Sequence, residues 1–216
     1  MIMAIKKIAG KLVTENLVPG EKVYGEELIK KDGVEYRVWD FYRSKPATAL
    51  KKGLKIFPVE EGMKILYLGI ASGTTASHFS DLIGKDGIIY GVDISKRVLR
   101  EIVSVAEKRG NIIPILGDAR KPEEYAGQIF EKVDIVYEDV ASDDQIPILI
   151  RNCEAFLKPE GWVMIAIKSQ SIDVTKDPQQ IYKEALAELG KHFEILDKVE
   201  LDPYEKYHLF VVMKKK

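Results

Sequence analysis

The chain has 216 residues, 46% of them hydrophobic, which is enough for one full α/β core with roughly 50 to 60 residues left over. Its 33 basic and 34 acidic residues give a formal net charge of −1, excluding the strongly basic balance of a protein that holds nucleic acid unaided. A single cysteine, Cys153, excludes an internal disulfide, no apolar run reaches the ~18 residues of a membrane span, and the start Met1-Ile2-Met3-Ala4 lacks signal-peptide character, so a cytoplasmic protein with no membrane attachment is expected.

Residues 1–43 are β-rich and punctuated by turns at Pro19-Gly20, Tyr24-Gly25 and Lys31-Asp32-Gly33, the last a hairpin signal ahead of Val34 to Trp39. They predict a small β domain, followed over 44–216 by the main one. Ser44 is placed to cap a helix with Pro46 in its first turn, and Ala49, Leu50, Leu54 and Phe57 supply an apolar face up to Pro58. The same window holds Arg43, Lys45, Lys51, Lys52 and Lys55 and no acid from 41 to 57. From residue 64 strands alternate with helices. Strands are expected near 64–69, 88–93, 112–116, 133–139 and 162–168, and helices near 75–84, 95–109, 121–127, 145–157 and 178–191. This spacing demands parallel strands joined by right-handed crossovers in the order 3-2-1-4-5, with Pro114 tolerated because the third strand is an edge. The last runs, 193–201 and 208–213, are too close for a crossover helix and must pair antiparallel.

Ligands of such a sheet bind at the carboxyl ends of its strands. There the chain places the turn Gly69-Ile70-Ala71-Ser72-Gly73-Thr74-Thr75, in which Gly69 and Gly73 permit close backbone approach and Thr74 or Thr75 can cap the next helix. It also places there Asp93, in position for ribose hydroxyls, and Asp118 with Ala119, suited to an adenine or, for Asp118, equally to capping the helix at Pro122. Asp139 and Lys168 end the neighbouring fourth and fifth strands, close enough to form a charged pair. Ala71 occupies the second glycine position of a dinucleotide fingerprint, so a pyrophosphate is poorly served. A doubly wound seven-stranded sheet with an antiparallel last strand is similar to the class I methyltransferases, which use S-adenosyl-L-methionine.

The segments Glu35 to Trp39, Arg43-Ser44-Lys45, Leu66 to Thr75, Asn111 to Pro114, Gly117 to Arg120, Asp139-Val140-Ala141 and Pro203-Tyr204-Glu205 occur in an order that resembles fibrillarin, over nearly the whole chain. The absence of a Gly/Arg-rich leader makes the resemblance one to the archaeal form. It implies a 2′-O-ribose methyltransferase of rRNA and tRNA, working with a Nop-domain scaffold protein, a kink-turn-binding ribosomal-type protein and a C/D-box guide RNA that selects the substrate nucleotide. By position, the family's cofactor contacts fall on Thr74, Thr75, Asp93, Ile94, Asp118, Ala119 and the run Asp139, Val140, Ala141, Ser142. Its catalytic set falls on Lys45, Asp139, Lys168 and His208. Asp93 stands where the family commonly has Glu, and Ser142 where it has Gln.

Methyl transfer to a ribose oxygen is an in-line displacement that needs an aligned and deprotonated nucleophile. Lys168 is therefore expected to be the principal catalytic group, acting either as a neutral base or as a cation, with Asp139 orienting it and Lys45 positioning the nucleotide. The alternative is a class I methyltransferase acting on a small molecule or protein carboxylate, which would need neither the paired lysines nor the basic window. Apolar helix faces such as 146–157 are expected to contribute to scaffold docking.

Overall fold

A computed structural model describes residues 5–216. The first part forms an antiparallel sheet of order β1-β2-β4-β3, from β1 (Lys6–Ile8), β2 (Lys11–Glu15), β3 (Leu28–Lys31) and β4 (Val34–Val38). Asp32 and Gly33 join β3 to β4 with φ of 52° and 80°, the positive pair that a two-residue hairpin of matching twist requires.

The main sheet has the order β10-β11-β9-β8-β5-β6-β7, built from β5 (Lys64–Leu68), β6 (Ile88–Asp93), β7 (Ile112–Leu116), β8 (Val133–Glu138), β9 (Leu157–Lys168), β10 (Phe193–Glu200) and β11 (His208–Lys215). The β7-β6-β5-β8-β9 portion is parallel, and β11 lies antiparallel between β9 and β10. This is the expected order, with Pro114 on the outermost strand, β7, where its missing N–H leaves no internal ladder bond unmade.

α1 (Lys45–Lys51) leads from the N-terminal sheet into the main one, whose crossovers carry α2 (Thr74–Ile83), α3 (Lys96–Arg109), α4 (Pro122–Tyr125), α5 (Gln145–Phe156), α6 (Ser169–Ile172) and α7 (Pro178–His192). In α3, Leu99, Ile102 and Ala106 recur at helical spacing and are buried, while the Ser95 hydroxyl caps its start and Gly110 its end. Each face of the main sheet carries its own apolar cluster. On one side α5 and α7 pack Leu149, Cys153, Phe156 and Leu189 onto Val136 and Ile165. On the other, α2 and α3 pack Phe79, Ile83 and Ile102 onto Ile65 and Tyr67, together with Trp39, which follows β4.

Some expectations need correction. The helix after Ser44 stops at Lys51 rather than running to Pro58, because Gly53 adopts φ 100°; Leu54 and Phe57 are buried from the following loop instead. Ser44 occupies the N-cap position but its hydroxyl does not cap. Residues Ile146, Ile148, Leu149, Cys153, Phe156 and Leu157 are buried against the sheet, so the apolar side of α5 is core and not a docking face.

The N-terminal sheet is fastened to α2 by ions. The Arg37 guanidinium donates to Glu26 Oε1 (2.6 Å), Asp81 Oδ2 (2.9 Å) and Ser77 Oγ (2.9 Å), and Arg109 also pairs with Asp81. His78 lies within this cluster, bonded to Thr14 and Tyr24 at 2.8 Å each and stacked on Trp39 at 5.0 Å. Apart from the half-buried Tyr24, all of these side chains are buried.

Candidate active site

The carboxyl rim of the main sheet opens into a crevice of about 420 Å³, a volume suited to a nucleoside-sized ligand. Its floor begins at Gly69, where φ is 79° and the amide donates to the Val92 carbonyl at 2.8 Å. A Cβ at this position would stand 3.1 Å from the backbone of Asp139 and Val140, so glycine lets the ends of β5 and β8 close together. Asp93 is held by two backbone donors, Ala71 N to Oδ2 at 3.1 Å and Ser95 N to Oδ1 at 2.9 Å. The carboxylate is thus fixed in orientation at the end of β6, beside the exposed side chain of Ile94. Ala119, Val140, Ala141, Ser142 and Ile148 complete the wall.

Asp118, also on the wall, is no helix cap: Lys121 holds the N-cap of α4, and the Asp118 carboxylate is gripped by the Arg120 guanidinium at 2.8 to 3.1 Å. Those bonds hold its carboxyl below the usual carboxylate range. A larger cavity, about 510 Å³, lies between the N-terminal sheet and α1 and is lined by Tyr24, Trp39, Phe41 and Tyr42. It includes none of the carboxylates at the ends of the main sheet's strands. The smaller crevice is therefore the site.

Asp139, Lys168 and Lys45 meet at the crevice. Lys168 Nζ lies 2.9 Å from Asp139 Oδ1 and donates to the Asp139 carbonyl at 2.6 Å. Lys45 Nζ lies 3.0 Å from the same Oδ1 and 3.2 Å from Oδ2. Two ammonium groups share one carboxylate, and all three side chains keep 13 to 18% exposure, so the cluster faces solvent. His208 stands opposite Lys168 in the β9–β11 ladder, with its Nδ1 2.7 Å from the Lys206 carbonyl, which leaves Nε2 as the free ring nitrogen. Burial above all, helped by Lys45 and Lys168, lowers the His208 pKa and keeps the ring neutral.

The crevice thus brings together Gly69, Ala71, Asp93, Ile94, Asp118, Ala119, Asp139, Val140, Ala141, Ser142 and Lys168. Gly73, Thr74 and Thr75 are not on its wall. Gly73, not a threonine, is the N-cap of α2, at φ 90°, and a Cβ there would meet the Ile102 side chain at 3.0 Å. Thr75 is buried, its hydroxyl 2.9 Å from that of Ser44.

Sequence reasoning missed Arg120, although its motif was in view, and Ile148, which only tertiary packing brings over from α5. It also missed Glu138, the residue before Asp139. Its carboxyl is fully buried with no hydrogen-bond partner, and burial pushes its pKa well above the ordinary carboxylate range.

A sheet of this order, carrying a nucleoside-sized crevice and aligned carboxylates at its carboxyl rim, defines a class I S-adenosylmethionine-dependent methyltransferase fold. The family model for fibrillarin matches residues 1–216, and the chain belongs to that family. It is 57% identical over 205 residues to the fibrillarin-like rRNA/tRNA 2′-O-methyltransferase of Pyrococcus furiosus, spanning 94% of this chain and 90% of that one. Among solved structures, Aeropyrum pernix fibrillarin with natively bound S-adenosyl-L-methionine aligns at TM-score 0.87 and 50% identity, over 94% of this chain and 88% of that one. The fibrillarin chain of a fibrillarin/Nop5p complex aligns at TM-score 0.90 and 39% identity, over 99% and 98%.

Proposed function

We propose that this chain transfers a methyl group from S-adenosyl-L-methionine to ribose 2′-hydroxyls of rRNA and tRNA, in the cytoplasm, within a C/D-box guide ribonucleoprotein. The observation that carries this reading is the Lys45–Asp139–Lys168 cluster beside a crevice that fits a nucleoside. The Pyrococcus relative named for this activity and the Aeropyrum relative that binds the cofactor support it. Gly69, Ala71, Asp93, Ile94, Asp118, Ala119 and the run 139–142 hold the cofactor, with Gly73, Thr74 and Thr75 shaping the turn behind it. Asp93 takes the ribose hydroxyls. Asp118 and Ala119 take the adenine. When bound, the cofactor supplies a methyl group made electrophilic by a sulfonium.

The chain's own residues prepare the nucleophile. Lys168, held against Asp139 with its Nζ 2.9 Å from Oδ1, stabilises the oxygen as negative charge develops. Asp139 orients both lysines, and Lys45 positions the target nucleotide. His208, uncharged, adds no third positive charge beside the two lysines. With a net charge of −1, the chain relies on partners to choose the site: a Nop-domain scaffold protein, as in the fibrillarin/Nop5p complex, a kink-turn-binding ribosomal-type protein, and the guide RNA.

The test is transfer of tritiated methyl to guide-paired RNA in the reconstituted particle. Lys168→Ala should lower the rate by about 10² to 10³, with cofactor affinity nearly intact by calorimetry. Equal activity of wild type and Lys168→Ala, or lost cofactor binding in the variant, would remove Lys168 from this role.

A further inference from the structure

The buried side of α5 is not apolar throughout. Ile146, Ile148, Leu149, Cys153 and Phe156 are buried there, and so, completely, are two amides, Gln145 and Asn152. They stand seven residues apart, about two helical turns, and so share one face with Ile148, which lines the crevice. Burying an amide costs free energy unless its polar atoms find partners. Both amides find them at the crevice, one at the end of β9 and the other in the turn after β7, on the two flanks of the sheet's parallel portion.

Gln145 grips the backbone of Lys168. Its Oε1 accepts the Lys168 amide N–H at 3.0 Å, while its Nε2 donates to the Lys168 carbonyl at 3.1 Å and to the Ser142 carbonyl at 2.8 Å. The sheet explains why a side chain is needed here. Registered pairing of β8 with β9 ends at Glu138 and Ile165, three residues before Lys168. On the other side of β9, Ser169 N donates to the Tyr207 carbonyl at 3.0 Å. Hydrogen-bonded pairs alternate along an antiparallel ladder, so the backbone groups of Lys168, paired with His208, point away from β11 and toward the place where β8 has ended. Gln145 supplies there the donor and the acceptor that a strand residue would have offered.

Asn152 does the equivalent for the turn after β7. Its Nδ2 donates to the Ala119 carbonyl at 2.8 Å and to the Ile148 carbonyl at 2.9 Å, and its Oδ1 accepts the Tyr125 hydroxyl. Tyr125 also packs against Gly117, where a Cβ would stand 2.8 Å from its ring. The turn that carries Asp118 and Ala119 is thereby held from the core side.

We propose that Gln145 and Asn152 are positioning residues for methyl transfer: Gln145 holds the backbone that aims the Lys168 ammonium, and Asn152 holds the turn that receives the adenine. The inference rests on the methyl-transfer reading above and adds a division of labour along one helix. Gln145 serves the rate and Asn152 the cofactor affinity.

The test is a split between the two effects in the reconstituted particle. Gln145→Met, similar in size and apolar, should lower the single-turnover rate at saturating cofactor about tenfold or more, because a small displacement of a catalytic group is enough to do so. It should raise the cofactor dissociation constant by less than Asn152→Leu does. Asn152→Leu should raise that constant about tenfold, the scale of a lost buried hydrogen bond, and lower the saturated rate by less than Gln145→Met does. If either variant fails to fold, Gln145→Asn and Asn152→Ser, which stay polar but are too short to reach, carry the same two arms.

Parallel losses of rate and affinity in the two variants would show a merely structural role and overturn the proposal, as would no loss in either. Hydrogen exchange at the Lys168 amide, followed by NMR on the free protein, gives a reading independent of methylation. It should speed up in Gln145→Met and not in Asn152→Leu, with the Ile165 amide unchanged in both. An inactive wild-type particle with that exchange pattern would sink the activity and spare the grip on Lys168. An active particle with an unchanged Lys168 amide would do the reverse.

Discussion

Two charged clusters in this molecule are built in opposite ways. Between the N-terminal sheet and α2, two guanidinium groups, Arg37 and Arg109, meet two carboxylates, Glu26 and Asp81, in a sealed space. At the crevice, two ammonium groups share the single carboxylate of Asp139 and all three remain partly in water. The first cluster is matched and dry, so it can only hold things together. The second carries an uncancelled positive charge in contact with solvent, which is what a site needs if it is to stabilise charge that forms during a reaction. Ion pairing alone therefore says little about role; balance and access decide it.

The sharpest way to break this comparison is Arg37→Ala. Among the described residues Glu26 would lose its one cationic partner in a dry site and Asp81 one of two, so unfolding free energy should drop by about 3 to 5 kcal/mol, read by denaturant titration. A loss under 1 kcal/mol would mean that water enters the cluster and that it is not sealed.

His78 sharpens the contrast through pH. Burial first, then Arg37 and Arg109, holds its pKa well below the ordinary value. Below about pH 6.5 the unfolded chain takes up a proton that the folded chain refuses, so stability must fall as pH falls, by about 1.4 kcal/mol per pH unit for this one group. Denaturant titrations at pH 7.5 and 5.5 should show a loss of about 1.4 kcal/mol across that interval in wild type that is absent in His78→Gln. His208, opposite Lys168 in the β9–β11 ladder, is lowered in the same direction but only half-buried, and its contribution should be smaller.

The crevice was more legible in the sequence than the clamp, for a physical reason. An apolar run entering a glycine turn, and acids at the ends of successive strands, are local patterns, and the doubly wound order then forces their side chains to one rim. The pairing of Asp139 with Lys168 followed from that order alone. The clamp has no local signature, since Arg37 and Asp81 are 44 positions apart and belong to different sheets and helices. Ser44 shows how local rules fail: it sits where a cap belongs, yet the Trp39 indole and the Thr75 hydroxyl claim its oxygen. The apolar spacing from 146 to 157 suggests a face open to a partner, and it is core instead. What it could not say was that the sheet, rather than a partner, does the burying.

The smallest expected change in stability comes from Lys45→Met, and it separates the clusters most cleanly. Losing Lys45 leaves Asp139 with Lys168 at 2.9 Å, so no charge is orphaned, and the pair that is lost was partly hydrated. Stability should therefore shift by about 1 kcal/mol or less, the scale of a solvated ion pair. Methyl transfer in the assembled particle should nevertheless fall at least about tenfold, because the target ribose loses its positioning cation. Arg37→Ala reverses the pattern, with a large loss of stability and little change in the rate per folded molecule. If Lys45→Met proved as destabilising as Arg37→Ala, the crevice would be a second clamp, and the division between a matched, dry cluster that holds and an unmatched, wet one that reacts would fail.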